Sequence, residues 1–189
     1  GADVGAIRGG FIQYTAVPNF KAVHWHVTLP FATSWWRSLG LLANTFAMES
    51  FMDEMAIMAK KNAVDFRLAQ IGGDAIDVRL KNVIRAAAEK ANYTEDIIDG
   101  KAMGFAASID ANTPCAQVAE VSVVGNEIIV HKVTVAMDPG LAVNPDQIRA
   151  QCEGSVIMGM SAVLYEKMEV ENGELTPTIY GPYQMALMK

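Results

Sequence analysis

Asn144-Pro145-Asp146-Gln147-Ile148-Arg149-Ala150-Gln151-Cys152-Glu153-Gly154-Ser155-Val156-Ile157-Met158-Gly159-Met160-Ser161-Ala162-Val163-Leu164-Tyr165 joins a well-specified helix start to a face almost stripped of bulk. Asn144 is suited to accept from the open N–H groups of a first turn, Pro145 fits the first helical position, and Asp146 complements the positive end of the dipole. Ser155, Gly159 and Ala162 recur at spacings of four and three, a stripe that lets a backbone or a flat ligand come close. Glycine inside a helix costs about 1 kcal/mol against alanine, so Gly154 and Gly159 point to a packing or binding reason.

Outward from this helix the chain reads as hairpins. Lys101–Ile109, Ala116–Val124 and Glu127–Met137 are rich in Ala, Val and Ile. Val124-Gly125-Asn126-Glu127 makes a two-residue turn that needs positive φ at the glycine, so the second and third strands are expected to be antiparallel. Beyond the helix, Met168–Glu171 and Glu174–Ile179 flank Asn172-Gly173, a strong type I′ signal. Upstream, Met48, Phe51, Met52, Met55 and Ala59 fall at helical spacing, with Glu49, Asp53, Glu54, Lys60 and Lys61 largely on other faces. Asp65–Gln70 adds a short helical turn. Asp74 starts a further helix with the stripe Ile76, Leu80, Val83, Ile84, Ala87 and Ala91, and Asp77, Arg79, Lys81, Arg85 and Glu89 read as solvated surface. Phe11–Tyr14 and Val23–Leu29 read as strands, the latter by alternation of Val23, Trp25, Val27 and Leu29.

The architecture expected is α+β: a mixed or antiparallel sheet with β-hairpins packed on a long helix, plus a two-helix segment. Residues 1–40 would hold N-terminal strands and an arginine loop, 41–100 the helical segment, and 101–189 the sheet with the long helix, together one compact part of a larger domain.

Composition limits the function. The 189 residues are 51% hydrophobic and 19% charged, enough for a sizeable core. A net charge of −6 offers no general basic surface for phosphates, which argues against nucleic acid. No run of about 18 apolar residues offers a membrane span. The start at Gly1 rather than Met suggests a piece of something longer. Cys115 and Cys152 allow one disulfide at most and read as small core residues. The methionines read as soft core, and Trp25, Trp35 and Trp36 as core or interface anchors.

Glycine-rich nucleotide loops, the Gly-x-Ser-x-Gly elbow and His-Glu-x-x-His are absent from the sequence. His24 and His26, two apart on a strand, could offer two imidazoles to a metal, but only His131 could add a third, so they read as ordinary half-buried histidines and no metal site is assigned. Asp138-Pro139-Gly140 reads as a turn. Arg37, beside a glycine turn, is the best polar candidate on residue type alone.

Several motifs in one order carry a resemblance. Trp36-Arg37-Ser38-Leu39-Gly40, Asn44-x-Phe46-x-x-Glu49-Ser50-Phe51-Met52-Asp53-Glu54 and Asp65-Phe66-Arg67-Leu68 are followed by Gln117-Val118-Ala119-Glu120-Val121 and Asp138-x-Gly140-x-x-Val143-Asn144-Pro145-Asp146. Arg149-Ala150-Gln151-Cys152-Glu153-Gly154 and Gly159-x-Ser161-Ala162-x-Leu164-Tyr165 complete the series. The chain resembles a fragment of the molybdopterin-binding large subunit of the xanthine dehydrogenase and aldehyde oxidase superfamily, in the branch of the isoquinoline 1-oxidoreductase beta subunit.

That resemblance implies an oxidoreductase that hydroxylates an N-heteroaromatic compound or oxidises an aldehyde with water as oxygen source. It implies Gln151 as the main cofactor contact, supported by Glu153 and Gly154, and Arg37 as a cofactor or site-shaping residue. Leu39 falls where relatives place a substrate-pocket side chain. Lys21 stands where some relatives have a substrate-orienting arginine, and a lysine lacks the planar fork. The cofactor implied for the complete enzyme is molybdopterin cytosine dinucleotide, with none required on the fragment alone. The implied partners are the remaining segments of the large subunit, an iron–sulfur subunit and a small-molecule substrate. The family's glycine-rich Gly-Gly-Gly-Phe-Gly loop and its Gly-x-Gly-Glu segment with the general base have no counterpart here, so no catalytic residue is assigned and the segment is expected to be inactive alone. Location in the cytoplasm or periplasm stays open. The other reading is a structural or interaction module that binds no pterin.

Overall fold

The structure, a computed structural model, describes residues 4–10 and 13–187. It is α+β and forms two compact units, one of residues 1–26 and 35–140, the other of 27–34 and 141–189.

In the larger unit, α1 (Val4–Ile7) precedes α2 (Gly40–Met58), α3 (Ala63–Ala69) and α4 (Ala75–Ala91). These are followed by β1 (Ala102–Asp110), β2 (Thr113–Val124) and β3 (Glu127–Met137), an antiparallel sheet in the order β1-β2-β3. Val124 pairs with Glu127 across the expected two-residue turn, with Gly125 at φ 62°. The β1–β2 turn is equally tight. Asp110 pairs with Thr113 across Ala111 and Asn112, both at positive φ, so β2 begins three residues before its apolar run. Alanine is no turn signal, which is why residue type alone left this hairpin unread.

The core joins sheet to helix. Leu80, Val83, Ile84, Ala87 and Ala91 of α4 pack with Phe105, Ala107, Ala116 and Val118 of β1 and β2, and Tyr14, Met52, Val64 and Ile71 close the cluster. Burying each large aliphatic side chain contributes roughly 1.5–3 kcal/mol, so this contact dominates the unit. Within the larger unit, the helix that covers the sheet is therefore α4. The reason is amphipathicity: α4 has a continuous aliphatic stripe, whereas the later helix carries small residues where such a stripe would sit.

The smaller unit contains α5 (Pro145–Leu164) and the hairpin β4 (Glu169–Glu171) with β5 (Glu174–Thr176). The Asn144 side chain accepts from the Gln147 N–H at 3.1 Å, and Pro145 opens the helix. Asn172 (φ 53°) and Gly173 (φ 85°) form the type I′ turn read from their identities. Ser161 is the buried residue of α5; its hydroxyl accepts from the Ala186 N–H at 2.9 Å.

Several expectations fail near the N-terminus. Val23–Leu29 forms no strand and lies exposed, because alternation needs a neighbouring strand to become a ladder. Of the strand expected at Phe11–Tyr14, Phe11 and Ile12 lie outside the described residues, and Gln13 and Tyr14 are not strand. Trp25 (82% exposed), Trp35 (81%) and Trp36 are surface residues rather than core. His24 and His26 are likewise exposed rather than half-buried, their ring centroids 6.4 Å apart.

Candidate functional site

The charged centre of the larger unit is one that charge alone misassigns. Glu49 is 3% exposed and Arg67 fully buried, on α2 and α3 respectively. Glu49 Oε1 accepts from the Tyr14 hydroxyl (2.5 Å) and from Gln13 Nε2 (3.2 Å). Its Oε2 accepts from Arg67 Nε and from the Ala107 N–H, both at 2.9 Å. Arg67 Nη2 donates to the Glu49 carbonyl (2.9 Å), Nη1 to the Ala63 carbonyl (3.1 Å), and Asp53 Oδ1 lies 2.7 Å from Nη1. The guanidinium also sits 5.6 Å from the Phe105 ring centroid. Burial and the Glu49 carboxylate push the Tyr14 phenol far above its usual range. Burial works to lower the Arg67 pKa, but Glu49, Tyr14 and Asp53 outweigh it and raise it.

A readable signal existed. Glu49, Met52 and Ala56 are the buried residues of α2, at spacings of three and four, so Glu49 lies on the buried face. Asp77 is a second departure: it is buried, its Oδ2 accepting from Thr15 Oγ1 (2.7 Å) and from the Asp74 N–H (3.2 Å). Both carboxylates hold backbone and neighbours in place and are structural rather than exposed.

Beside this network lies a pocket of about 180 Å³ lined by Gln13, Leu41, Met48 and Glu49 among others. Its polar floor is already engaged, since Gln13 Nε2 also donates to the Ala107 carbonyl at 2.7 Å.

The arginine loop belongs to the same unit. Arg37 is exposed and Leu39 half-buried, in a turn closed by the Leu39 N–H on the Trp36 carbonyl (3.0 Å). Ser38 and Leu39 both have positive φ, 74° and 50°. Such a conformation costs roughly 1–3 kcal/mol in a residue with a Cβ and is kept where surroundings over-determine it. One constraint is visible at Gly40, where an added Cβ would lie 2.2 Å from the Ala6 carbonyl oxygen. Lys21 is exposed in irregular chain.

Gln151, Glu153 and Gly154 lie on α5 in the smaller unit, all exposed. Gln151 and Gly154, three apart, share a face, whereas Glu153 points to the other side of the helix. A Cβ added at Gly154 or Gly159 would meet no atom within 4 Å. The helix is thus open at both glycines. Between the glycines and the cap, the Cys152 thiol is pushed up by burial and by Glu153. Cys115 and Cys152 are half-buried rather than core.

A helix turn that exposes an amide next to a missing side chain leaves room for a flat, hydrogen-bonding ring. The amide donates and accepts, and the glycine leaves room at the edge, so these residues fit a pterin. Sequence comparison supports that class. The chain belongs to the molybdopterin cofactor-binding domain family, whose model matches residues 41–189. The match includes Gln151, Glu153 and Gly154 and leaves Lys21, Arg37 and Leu39 outside it.

Three similar proteins sharpen the family resemblance already carried by the motifs. A nicotinate dehydrogenase subunit from Pseudomonas putida is 30% identical, over 89% of this chain and 16% of its own length. The beta subunit of isoquinoline 1-oxidoreductase from Brevundimonas diminuta is 33% identical, over 80% of this chain and 20% of its own. A membrane-bound aldehyde dehydrogenase of Gluconacetobacter polyoxogenes, whose name carries pyrroloquinoline quinone, is 30% identical over 76% and 21%. The chain therefore spans about a fifth of the length of the relatives it matches. All three are named as oxidoreductases, and two as subunits. Among the described residues no helix is long and apolar enough to cross a membrane.

Proposed function

We propose that this chain is one part of the cofactor site of a molybdenum hydroxylase large subunit, and that it is inactive alone. The observation that carries the reading is the exposed Gln151–Gly154 turn of α5, open at its glycines, within the region that matches the molybdopterin-binding family. When bound, the cofactor, here molybdopterin cytosine dinucleotide, supplies the redox chemistry: hydroxylation of an N-heteroaromatic compound or oxidation of an aldehyde, with water as oxygen source.

The chain's own contribution is binding and orientation. The Gln151 amide donates to and accepts from the pterin edge, and Gly154 clears the approach. Glu153, on the other face, supports the helical turn without touching the same edge. Arg37, held by a strained turn, offers a fork of donors that shapes the site. Lys21 orients substrate as a point charge, and Leu39 contributes an apolar wall. The general base, the remaining segments of the large subunit and an iron–sulfur subunit complete the enzyme.

The test is production of the complete parent protein followed by assay of bound molybdenum and pterin. Both should be present, and Gln151→Ala should lower both at an unchanged unfolding midpoint. Full cofactor content in the variant would remove Gln151 from the site, and a wild-type protein with neither would favour a structural or interaction module.

A further inference from the structure

Arg79 reads from the sequence as a solvated charge on α4, yet its guanidinium makes four hydrogen bonds to two distant turns. Nε donates to Asp138 Oδ2 (2.8 Å), and Nη2 to Asp138 Oδ1 (3.0 Å) and to the Asp138 carbonyl (2.8 Å). Nη1 donates to the Asn112 carbonyl in the β1–β2 turn (2.9 Å). Asp138 Oδ1 in turn accepts from the Gly140 N–H (2.9 Å), and the Asp138 N–H donates to the Pro114 carbonyl (3.0 Å). The sheet does not require this arrangement, because the β3 ladder ends at Met137 opposite Cys115. What the clamp fixes is the three-residue turn Asp138–Gly140, where β3 has ended and α5 has not begun.

From Gly140 to the start of α5 only Leu141, Ala142, Val143 and Asn144 intervene, all exposed. With the clamp in place the slack before the helix is these four residues; without it, the Pro114 carbonyl still holds the Asp138 N–H, and the slack runs from Pro139 and is six. We propose that Arg79 is a positioning residue for the cofactor helix, confining the freedom of the chain that leads into α5 and so lowering the ordering cost when Gln151 engages its ligand. The inference rests on the reading of Gln151 as a cofactor contact. Closure entropy scales with the logarithm of loop length, with a coefficient of (3/2)RT, so going from four to six residues corresponds to about a twofold change in retention. Loss of the fork's fixed geometry acts in the same direction.

The experiment uses the complete parent protein loaded with its cofactor and follows molybdenum release into chelator, with backbone hydrogen exchange on the same samples. Arg79→Ala removes the clamp. Arg79→Lys keeps the charge and the helix propensity but cannot hold Asp138 and Asn112 together, which guards against a simple failure to fold. Both variants should release molybdenum about twofold faster or more, with at most a small fall in the unfolding midpoint and faster exchange confined to residues 139–144. Wild-type release in both variants, or faster exchange spread through α4 and β3, would overturn the inference. Gln151→Ala separates the two claims. If it speeds release and the Arg79 variants do not, the positioning role falls alone; if it does not speed release, the cofactor reading falls and the positioning role with it.

Discussion

α4 and α5 have similar lengths, 17 and 20 residues, but opposite relations to their surroundings. α4 buries six residues, among them Leu80, Val83, Ile84 and Ala87, and covers a sheet; α5 buries Ser161 and leaves its glycine positions facing open space. The difference teaches that a helix start is local while a helix's purpose is not. Capping and proline make α5 begin at Pro145 as sharply as any helix of the larger unit, yet only an aliphatic stripe makes a helix part of a core.

The comparison breaks first at the charged centre of the larger unit. Glu49→Ala would leave Arg67 buried with only Asp53 as an ionic partner among the described residues, and removal of one partner of such a pair costs roughly 3–5 kcal/mol. Denaturant unfolding should show that loss; a change near zero would mean the pair is not buried in solution. By contrast, Gly159→Ala in α5 should stabilise by about 1 kcal/mol, since the added methyl meets nothing within 4 Å and helix propensity improves. A loss of stability would reveal a hidden close neighbour and erase the contrast between the two helices.

The smallest effect expected is at the rim, where Asp138 can be compared with the buried Glu49. Its hydrogen bonds from Arg79 and from the Gly140 N–H lower its pKa to about 2, below the usual 3.8. A lowered folded-state value means the contribution is present above about pH 4 and lost as pH falls through about 2. NMR titration of the Asp138 carboxyl should therefore place its midpoint near 2, and Arg79→Ala should return it toward 3.8. An unshifted midpoint in the wild-type chain would mean that the clamp is open in solution.

Legibility follows the range of the interactions. The N-cap at Asn144, the turns at Gly125 and Asn172-Gly173, and the aliphatic stripe of α4 are set by neighbours within a few positions, so residue identity is enough. The strand expected at Val23–Leu29 misleads because its alternation satisfies the local pattern but the ladder depends on a partner elsewhere. Charge alone assigns Glu49 and Asp77 to the surface; their burial depends on Arg67 and Tyr14, and on Thr15, which are distant in sequence. The site residues Gln151, Glu153, Gly154, Arg37, Leu39 and Lys21 are legible through a resemblance of motifs rather than through geometry, and their roles remain proposals.

By itself the sequence determined the class, the capped helix after Asn144, the hairpins at Gly125 and at Asn172-Gly173 and the family to which the motifs belong, because each depends on short-range preference or on ordered motifs. Tertiary structure decided which helix covers the sheet, which carboxylates go inside and which glycines stay open. Those outcomes turn on desolvation and on partners brought together from remote positions: a buried charge is tolerated where hydrogen-bond donors converge on it, as a guanidinium, a phenol and a backbone N–H do at Glu49.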